Sequence, residues 1–311
     1  MPFVYNLPVE NVIEIKDLHK SYGSTKAVDG VSFKVKKGEL FAFLGVNGAG
    51  KSTTINILVG VLSKDSGEVM VLGHQVEHIA SILPQVGIVF QNSVLDRKLS
   101  AYDNIFYKAA LYGIGKAEFK RRLAYFGARF GLQEFIRRPI GKLSGGQRRK
   151  IDIVRALIHH PKILILDEPT TGLDPQSRKQ VFDLVNDLRR SEGLTVILTT
   201  HYMEEAANSD YVVIMDKGHV VANGTPIDLK NQYASDFLRI YKPSLEVLKA
   251  LREGHIPYTQ GRDMVEARFK TTSDAKGFIL AHPDEIDDFE VLKGSMDDVF
   301  LSVTGKELEI R

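Results

Sequence analysis

The run Gly45-Val46-Asn47-Gly48-Ala49-Gly50-Lys51-Ser52 has the spacing of a phosphate-binding loop: Gly, four residues, then Gly-Lys-Ser. Glycines let successive backbone N–H groups turn toward one anion with no Cβ in the way. Lys51 adds a point charge for terminal phosphates, and the Ser52 hydroxyl can ligate Mg²⁺. A second group is Asp167-Glu168, two carboxylates at the end of the apolar run Ile163 to Leu166. Carboxylates there are costly unless partnered. Asp167 can hold Mg²⁺, and Glu168 can accept a proton from attacking water. Gln91 follows the apolar run Val86 to Phe90, and His201 follows Thr195 to Thr200. Gln91 could sense the metal or the water, and His201 could hydrogen-bond a γ-phosphate oxygen. Taken singly, the alternatives are a glycine turn, an acidic turn and two structural side chains. The shared position at strand ends favours the chemical readings.

Those residues need elements to hold them. Glu39–Leu44, Val86–Phe90, Ile163–Leu166, Thr195–Thr200 and Tyr211–Met215 are short, continuously apolar runs. Such runs suit strands buried on both faces of a helix-covered, mostly parallel sheet. Ile55, Leu58, Val59 and Leu62 form one helical stripe, and Val181, Leu184, Val185 and Leu188 another. Asp174-Pro175 starts the second helix and Gly193 stops it. Open α/β sheets bind ligands at the carboxyl ends of their strands, where all four chemical groups fall. Val12–Lys16 and Val31–Lys36 alternate and predict an antiparallel N-terminal β-subdomain. Residues 100–142 predict an inserted helical subdomain. The predicted fold is therefore α/β. A phosphate-loop nucleotide-binding domain is expected over 1–233, and a small α+β accessory domain over 234–311. In the latter, Val265, Ala267 and Phe269 alternate as a strand, and Met296, Val299, Phe300 and Val303 stripe a helix capped by Ser295.

Leu143-Ser144-Gly145-Gly146-Gln147 precedes a helix with Ile151, Val154 and Ile158 on one face. This is a second helix start able to bind an anion. One nucleotide does not need two, so the second suggests another molecule's nucleotide.

Composition narrows the classes. The chain has 311 residues, 43% apolar and 26% charged, with net charge +2. That balance removes global charge as an argument for nucleic acid. With no cysteine, disulfides, thiolate zinc sites and cysteine nucleophiles are excluded, and a reducing compartment is expected. No apolar stretch reaches the roughly 18 residues of a membrane span. Met1 to Glu10 lack the basic start and apolar middle of a secretory signal.

In order along the chain, the phosphate loop, Gln91, Leu143 to Gln147, Asp167 with Glu168, Leu173-Asp174 and His201 resemble the ATP-binding subunits of ABC transporters, over about Val12 to Tyr233. Arg148-Arg149-Lys150-Ile151-Asp152, Glu168-Pro-Thr-Thr-Gly-Leu-Asp174-Pro and the ending Met296 to Gly305 resemble the daunorubicin-resistance exporter branch. The resemblance implies ATP and Mg²⁺ as cofactors and a head-to-tail homodimer with two ATP at its interface. It implies an ATP-binding set of Tyr22, Gly45, Asn47, Gly48, Ala49, Gly50, Lys51, Ser52 and Thr53, with Tyr22 stacking on adenine or else packing. Ser52, Gln91 and Asp167 would serve the metal, and Glu168, His201, Gln91 and Lys51 the reaction. Ser144, Gly145, Gly146 and Gln147 would reach the partner chain's ATP, and Asp174 would lie at the interface. A separate membrane-spanning permease, contacted by residues 100–142, would place the chain peripherally on the cytoplasmic side of the membrane.

The competing reading is a soluble ABC ATPase acting on nucleic acid or ribosomes. Lys51 and Ser144 are too near in sequence to enclose a long coiled coil, there is no cysteine for a zinc module, and one set of motifs is present. A phosphate-loop kinase or GTPase would lack a use for Leu143 to Gln147 and would need an Asn-Lys-x-Asp motif for guanine, which is absent.

Overall fold

The computed structural model describes residues 10–305; Met1–Val9, where the secretory signal was sought, lie outside them. Two compact units divide between Val221 and Ala222 rather than after Tyr233.

The first unit opens with two long strands, β1 (Asn11–Tyr22) and β2 (Thr25–Lys36), each well beyond the short segments the alternation predicts. They pair antiparallel across a turn. β3 (Leu40–Leu44) is buried at every residue and delivers the chain to the phosphate loop, after which α1 (Lys51–Leu58) begins. α1 ends before Leu62, so the predicted stripe is cut short at Val59-Gly60. β4 (Ser66–Val71) then returns to pair antiparallel with β1 and carries the two-residue β5 (His74–Gln75) at its edge. The short helix α2 (Ile79–Ile82) leads into β6 (Val86–Val89).

The predicted helical insertion is α3 (Ala101–Leu111) and α4 (Lys116–Phe130), followed by α5 (Gly145–Leu157). A Ser100–Asp103 capping box starts α3, and Gly131, in the left-handed region, ends α4. Then come β7 (Ile163–Asp167), α6 (Pro175–Glu192), β8 (Thr195–Thr200), α7 (Met203–Ala207), β9 (Tyr211–Asp216) and β10 (His219–Gly224).

The central sheet runs β10-β9-β3-β8-β7-β6. β9, β3, β8, β7 and β6 are parallel, so their carboxyl ends lie along one edge. Cores form on both faces. On one, Phe33, Phe41 and Phe43 meet with centroids 4.8–5.2 Å apart. On the other, Phe119, Phe126 and Phe130 of the helical insertion join apolar residues of α5 and α6. Truncating Phe41 to alanine would cost about 3–5 kcal/mol. At Gly87 a Cβ would stand 2.4 Å from the Ala156 carbonyl oxygen, so β6 and α5 can approach this closely only with glycine there.

The second unit begins inside β10 and includes α8 (Pro226–Tyr233), with Thr225 as its N-cap. α8 packs on α11 (Met296–Thr304), which is why it belongs here rather than with residues 1–233. Between them run β11 (Asp236–Tyr241), α9 (Leu245–Glu253), β12 (Tyr258–Gln260), β13 (Met264–Phe269), α10 (Thr272–Ala281) and β14 (Phe289–Leu292). The strand order β12-β13-β11-β14, all antiparallel, makes this a ferredoxin-like βαββαβ sheet. Leu238, Ile240, Val265 and Ala267 meet Val247 and Leu251 of α9 and Ala275 of α10 on one face.

Candidate nucleotide site

The loop geometry follows from its glycines. A Cβ on Gly45 would lie 2.5 Å from the Met215 carbonyl oxygen. Gly50 sits at φ 105°, and a Cβ there would lie 2.4 Å from the Ala27 carbonyl oxygen. Neither position admits another residue, and Gly50 hands the chain to α1, whose positive end faces the loop. Asn47 to Thr53, with Ala27, Gln91 and Glu168, line a cleft of about 460 Å³.

Lys51, 4% exposed, donates to the carbonyl oxygens of Gly45 (2.6 Å) and Val46 (3.1 Å) and lies 3.9 Å from Glu168 Oε1. Burial pushes its pKa down, while Glu168 and Asp167 oppose that. Asp167, at the end of β7, accepts from Ser52 Oγ (3.2 Å) and Thr199 Oγ1 (2.5 Å). Thr199 also accepts from the Glu168 backbone N–H (2.9 Å). One hydroxyl thus holds both acidic residues from the neighbouring strand β8.

Glu168 has φ 44°, unusual for a residue with a Cβ. Its Oε2 accepts from Gln91 Nε2 (3.2 Å) and Thr171 Oγ1 (3.1 Å) and lies 3.6 Å from His201 Nδ1. His201 first, then Lys51 and Thr171, hold the Glu168 carboxyl below the usual range against the desolvation that raises it. Glu168 is therefore an ionised base at neutral pH. Lys51, Ser52, Gln91, Asp167, Glu168 and His201 come together as their strand-end placement predicts.

Two expected groups lie elsewhere. Tyr22, at the end of β1, is 49% exposed and does not line the cleft; Ala27 of the adjoining β2 does. Ser144 to Gln147 open α5 and do not line it either. Ser144 Oγ accepts from Gln147 N–H (3.2 Å), and Gln147 Oε1 accepts from Ser144 N–H (3.0 Å), a capping box. Gly146 packs so closely on α6 that a Cβ would lie 2.9 Å from Ser177 Oγ. Asp174 caps α6, its Oδ1 accepting from Ser177 N–H at 2.9 Å, and the Ser177 hydroxyl first, then that N–H, lower its pKa.

Sequence reasoning missed Thr199, and also Glu205. The Glu205 carboxylate, 4% exposed, accepts from Thr170 Oγ1 and Thr200 Oγ1, each at 2.6 Å. It ties the segment after Glu168 to the residue before His201. Burial raises its pKa, against those two hydrogen bonds.

A glycine loop running into a helix, a buried lysine inside it and two carboxylates across from it define a phosphate-loop nucleoside triphosphatase. Comparison with known proteins sharpens that class. A family profile described as ABC transporter matches residues 28–171. The linearmycin resistance ATP-binding protein of Bacillus subtilis is 40% identical over 227 residues, 72% of this chain and 73% of that one. The daunorubicin/doxorubicin resistance ATP-binding protein of Streptomyces peucetius is 34% identical over 318 residues, 98% and 96% of the two chains. A Nod factor export ATP-binding protein of Ralstonia nicotianae is 32% identical over 320 residues, 96% and 95%.

Among solved structures, CbiO1 from Clostridium perfringens, part of the ABC transporter complex CbiONQ, superposes with TM-score 0.67 at 28% identity, covering 79% of this chain and 98% of that one. An ATP-binding cassette solved as a dimer in a post-hydrolysis state with ADP and Pi gives TM-score 0.63 at 26% identity, covering 69% and 98%. The chain belongs to the ABC transporter family, as an ATP-binding, ATP-hydrolysing subunit. Among the described residues no helix is long and apolar enough to cross a membrane.

Proposed function

We propose that two copies of this chain close head to tail around two ATP molecules and drive export through a separate membrane-spanning permease. The observation that carries this is the placement of Ser144 to Gln147, a helix start with two glycines that takes no part in its own chain's cleft. A partner chain's nucleotide gives it a purpose. Asp174, beside it at the start of α6, would lie at the same interface.

In each site the loop amides and Lys51 hold the β- and γ-phosphates, and the exposed Tyr22 ring, outside the cleft, would stack on adenine. Ser52 and Asp167 offer two hard oxygen donors 3.2 Å apart, a donor set that suits Mg²⁺, with Gln91 beside Glu168. Among the described residues no three acidic, histidine or cysteine side chains cluster around a metal, so phosphate oxygens and water would complete its shell. Bound there, Mg²⁺ would neutralise charge developing on the β- and γ-phosphates. Glu168, ionised and strained into place, takes the proton of the attacking water. His201, 3.6 Å from it, holds the water's or γ-phosphate's oxygen. Loss of the γ-phosphate removes the bridge between chains and lets them part.

The drug-resistance and Nod factor export names of the relatives support an exporter of amphipathic small molecules. Residues 100–142 would meet the permease, holding the chain peripherally at the cytoplasmic face. Nothing in the fold or the relatives supports a nucleic-acid role. Glu168→Gln tests the proposal: ATP binding is retained, hydrolysis falls by about 10²-fold or more, and size-exclusion chromatography with ATP shows a dimer. A variant that binds ATP and stays monomeric at every ATP concentration would overturn it.

A further inference from the structure

The run Arg148 to Asp152 has no part in the nucleotide site, yet two of its charged side chains are buried. Arg149 is 7% exposed and Asp152 5%. Buried charges are costly unless their hydrogen bonds are specific, and these are. The Arg149 guanidinium donates through one nitrogen to the Phe90 carbonyl oxygen (2.9 Å) and through the other to that of Gln91 (3.0 Å). Asp152, one turn further along α5, accepts from Ser93 Oγ (3.1 Å). The segment Phe90 to Ser93 is therefore gripped at three points by the helix that Ser144 caps. The same segment carries Gln91, whose side chain donates to Glu168 at 3.2 Å. Arg148, by contrast, folds back on the Leu143 carbonyl oxygen (2.9 Å) and steadies the approach to Ser144. Further along, α5 is pressed against β6, where only Gly87 allows the Ala156 carbonyl so close.

We infer that Arg149 and Asp152 latch the Gln91 segment to α5, so that occupancy of a chain's own phosphate loop sets how that chain presents Ser144–Gln147 to its partner. The inference rests on the two-chain reading above. α5 is a regular helix of 13 residues, stiff enough that a shift imposed near its first turns moves its N-terminus as one body. Movement of Gln91 on nucleotide binding is delivered to α5 through Arg149, since both carbonyls flanking the Phe90–Gln91 step are bound to one planar guanidinium. Ser144–Gln147 of one chain is then tuned by that chain's own ATP while it serves the other's. Two sites coupled this way hydrolyse cooperatively. Arg149 and Asp152 are positioning residues: neither touches the phosphate cleft.

The test uses the full chain in the Glu168→Gln background, with ATP-dependent dimerisation followed by size-exclusion and ATP affinity of the monomer followed with a fluorescent ATP analogue. Adding Arg149→Met should raise the ATP needed for half-dimerisation about tenfold or more while leaving monomer affinity within about twofold, as expected for loss of a coupling free energy. Ser93→Ala, a change at an exposed residue that removes the Asp152 contact and a long bond from the Leu95 N–H (3.4 Å), should shift the midpoint the same way by about threefold. Arg149→Lys, which keeps one charged donor, should recover part of the shift. With Glu168 restored, Arg149→Met should lose cooperativity of hydrolysis in ATP, a readout that simple destabilisation of the fold does not move. If Glu168→Gln alone stays monomeric, the two-chain reading fails. If it dimerises, and both the Arg149→Met and Ser93→Ala combinations dimerise at the same ATP concentration, the latch is wrong.

Discussion

Thr199→Val isolates the hydroxyl that organises both acidic residues. The two side chains have the same shape, so packing inside β8 is retained while two hydrogen bonds are lost. The first runs to a carboxylate oxygen of Asp167 at 2.5 Å, and bonds of that kind contribute about 1.5–3 kcal/mol. The second accepts the Glu168 N–H; leaving that buried donor without a partner costs about 1–3 kcal/mol. Unfolding stability should therefore fall by about 2.5–6 kcal/mol, read from a urea midpoint shift. Asp167 keeps only Ser52 Oγ, and Glu168 loses one of the contacts that hold its left-handed backbone. If about half of the lost energy is felt at the transition state, kcat should drop about 10-fold to 100-fold. KM should change little, because Thr199 does not line the cleft. Thr199→Ser, which keeps the hydroxyl, should stay within about threefold of wild type. A folded Thr199→Val protein with wild-type kcat would refute the placement of both carboxylates by this hydroxyl.

Glu205→Ala should take from the Thr170 and Thr200 hydroxyls the carboxylate they donate to and open a cavity, lowering stability by about 2–4 kcal/mol, and should reduce kcat through His201; thermal melts and phosphate release check both. His159 gives a pH prediction: burial holds its pKa at about 4 against an ordinary 6.5, with Nε2 against the Val86 carbonyl (3.3 Å) and the ring stacked on Tyr112. It is neutral in the fold and takes a proton first in the unfolded chain, so stability is whole above the unfolded value and is lost as pH falls from 6.5 toward about 4, by roughly 2 kcal/mol at pH 5. His159→Gln should flatten that part of the urea-stability profile; an unchanged slope would show that another group is responsible.

Much of the site was legible because its residues stand at the ends of continuously apolar strands. Ile163–Leu166 and Thr195–Thr200 read as doubly buried, and the polar residue after each had to lie at one edge of the sheet. Thr199 could not be picked out: a threonine inside such a run is also an ordinary strand former, and only the register of β7 with β8 sets it opposite Asp167. Glu205 reads as a surface helix residue until the two threonines it accepts from are brought together by folds distant in sequence. The same limit hid β4, whose pairing with β1 joins segments far apart along the chain. In the second unit the alternation of Val265, Ala267 and Phe269 revealed one strand, but the ferredoxin-like order depends on non-local antiparallel pairing that alternation alone does not specify. The unit boundary was displaced for a related reason: Thr225-Pro226 marks a helix start correctly, and only packing on α11 shows which unit that helix joins.

The central claim, that each nucleotide is completed by the opposite chain, is tested most directly by mixing two crippled variants. Lys51→Ala spoils the phosphate loop and keeps Ser144–Gln147; Ser144→Arg does the reverse. Each should be inactive alone. Together they should regain activity of up to about a quarter of wild type, the ceiling for independent sites, since half of the dimers are mixed and each has one whole site of two, and coupling between the sites lowers it. A mixture no more active than its two parents would contradict the account.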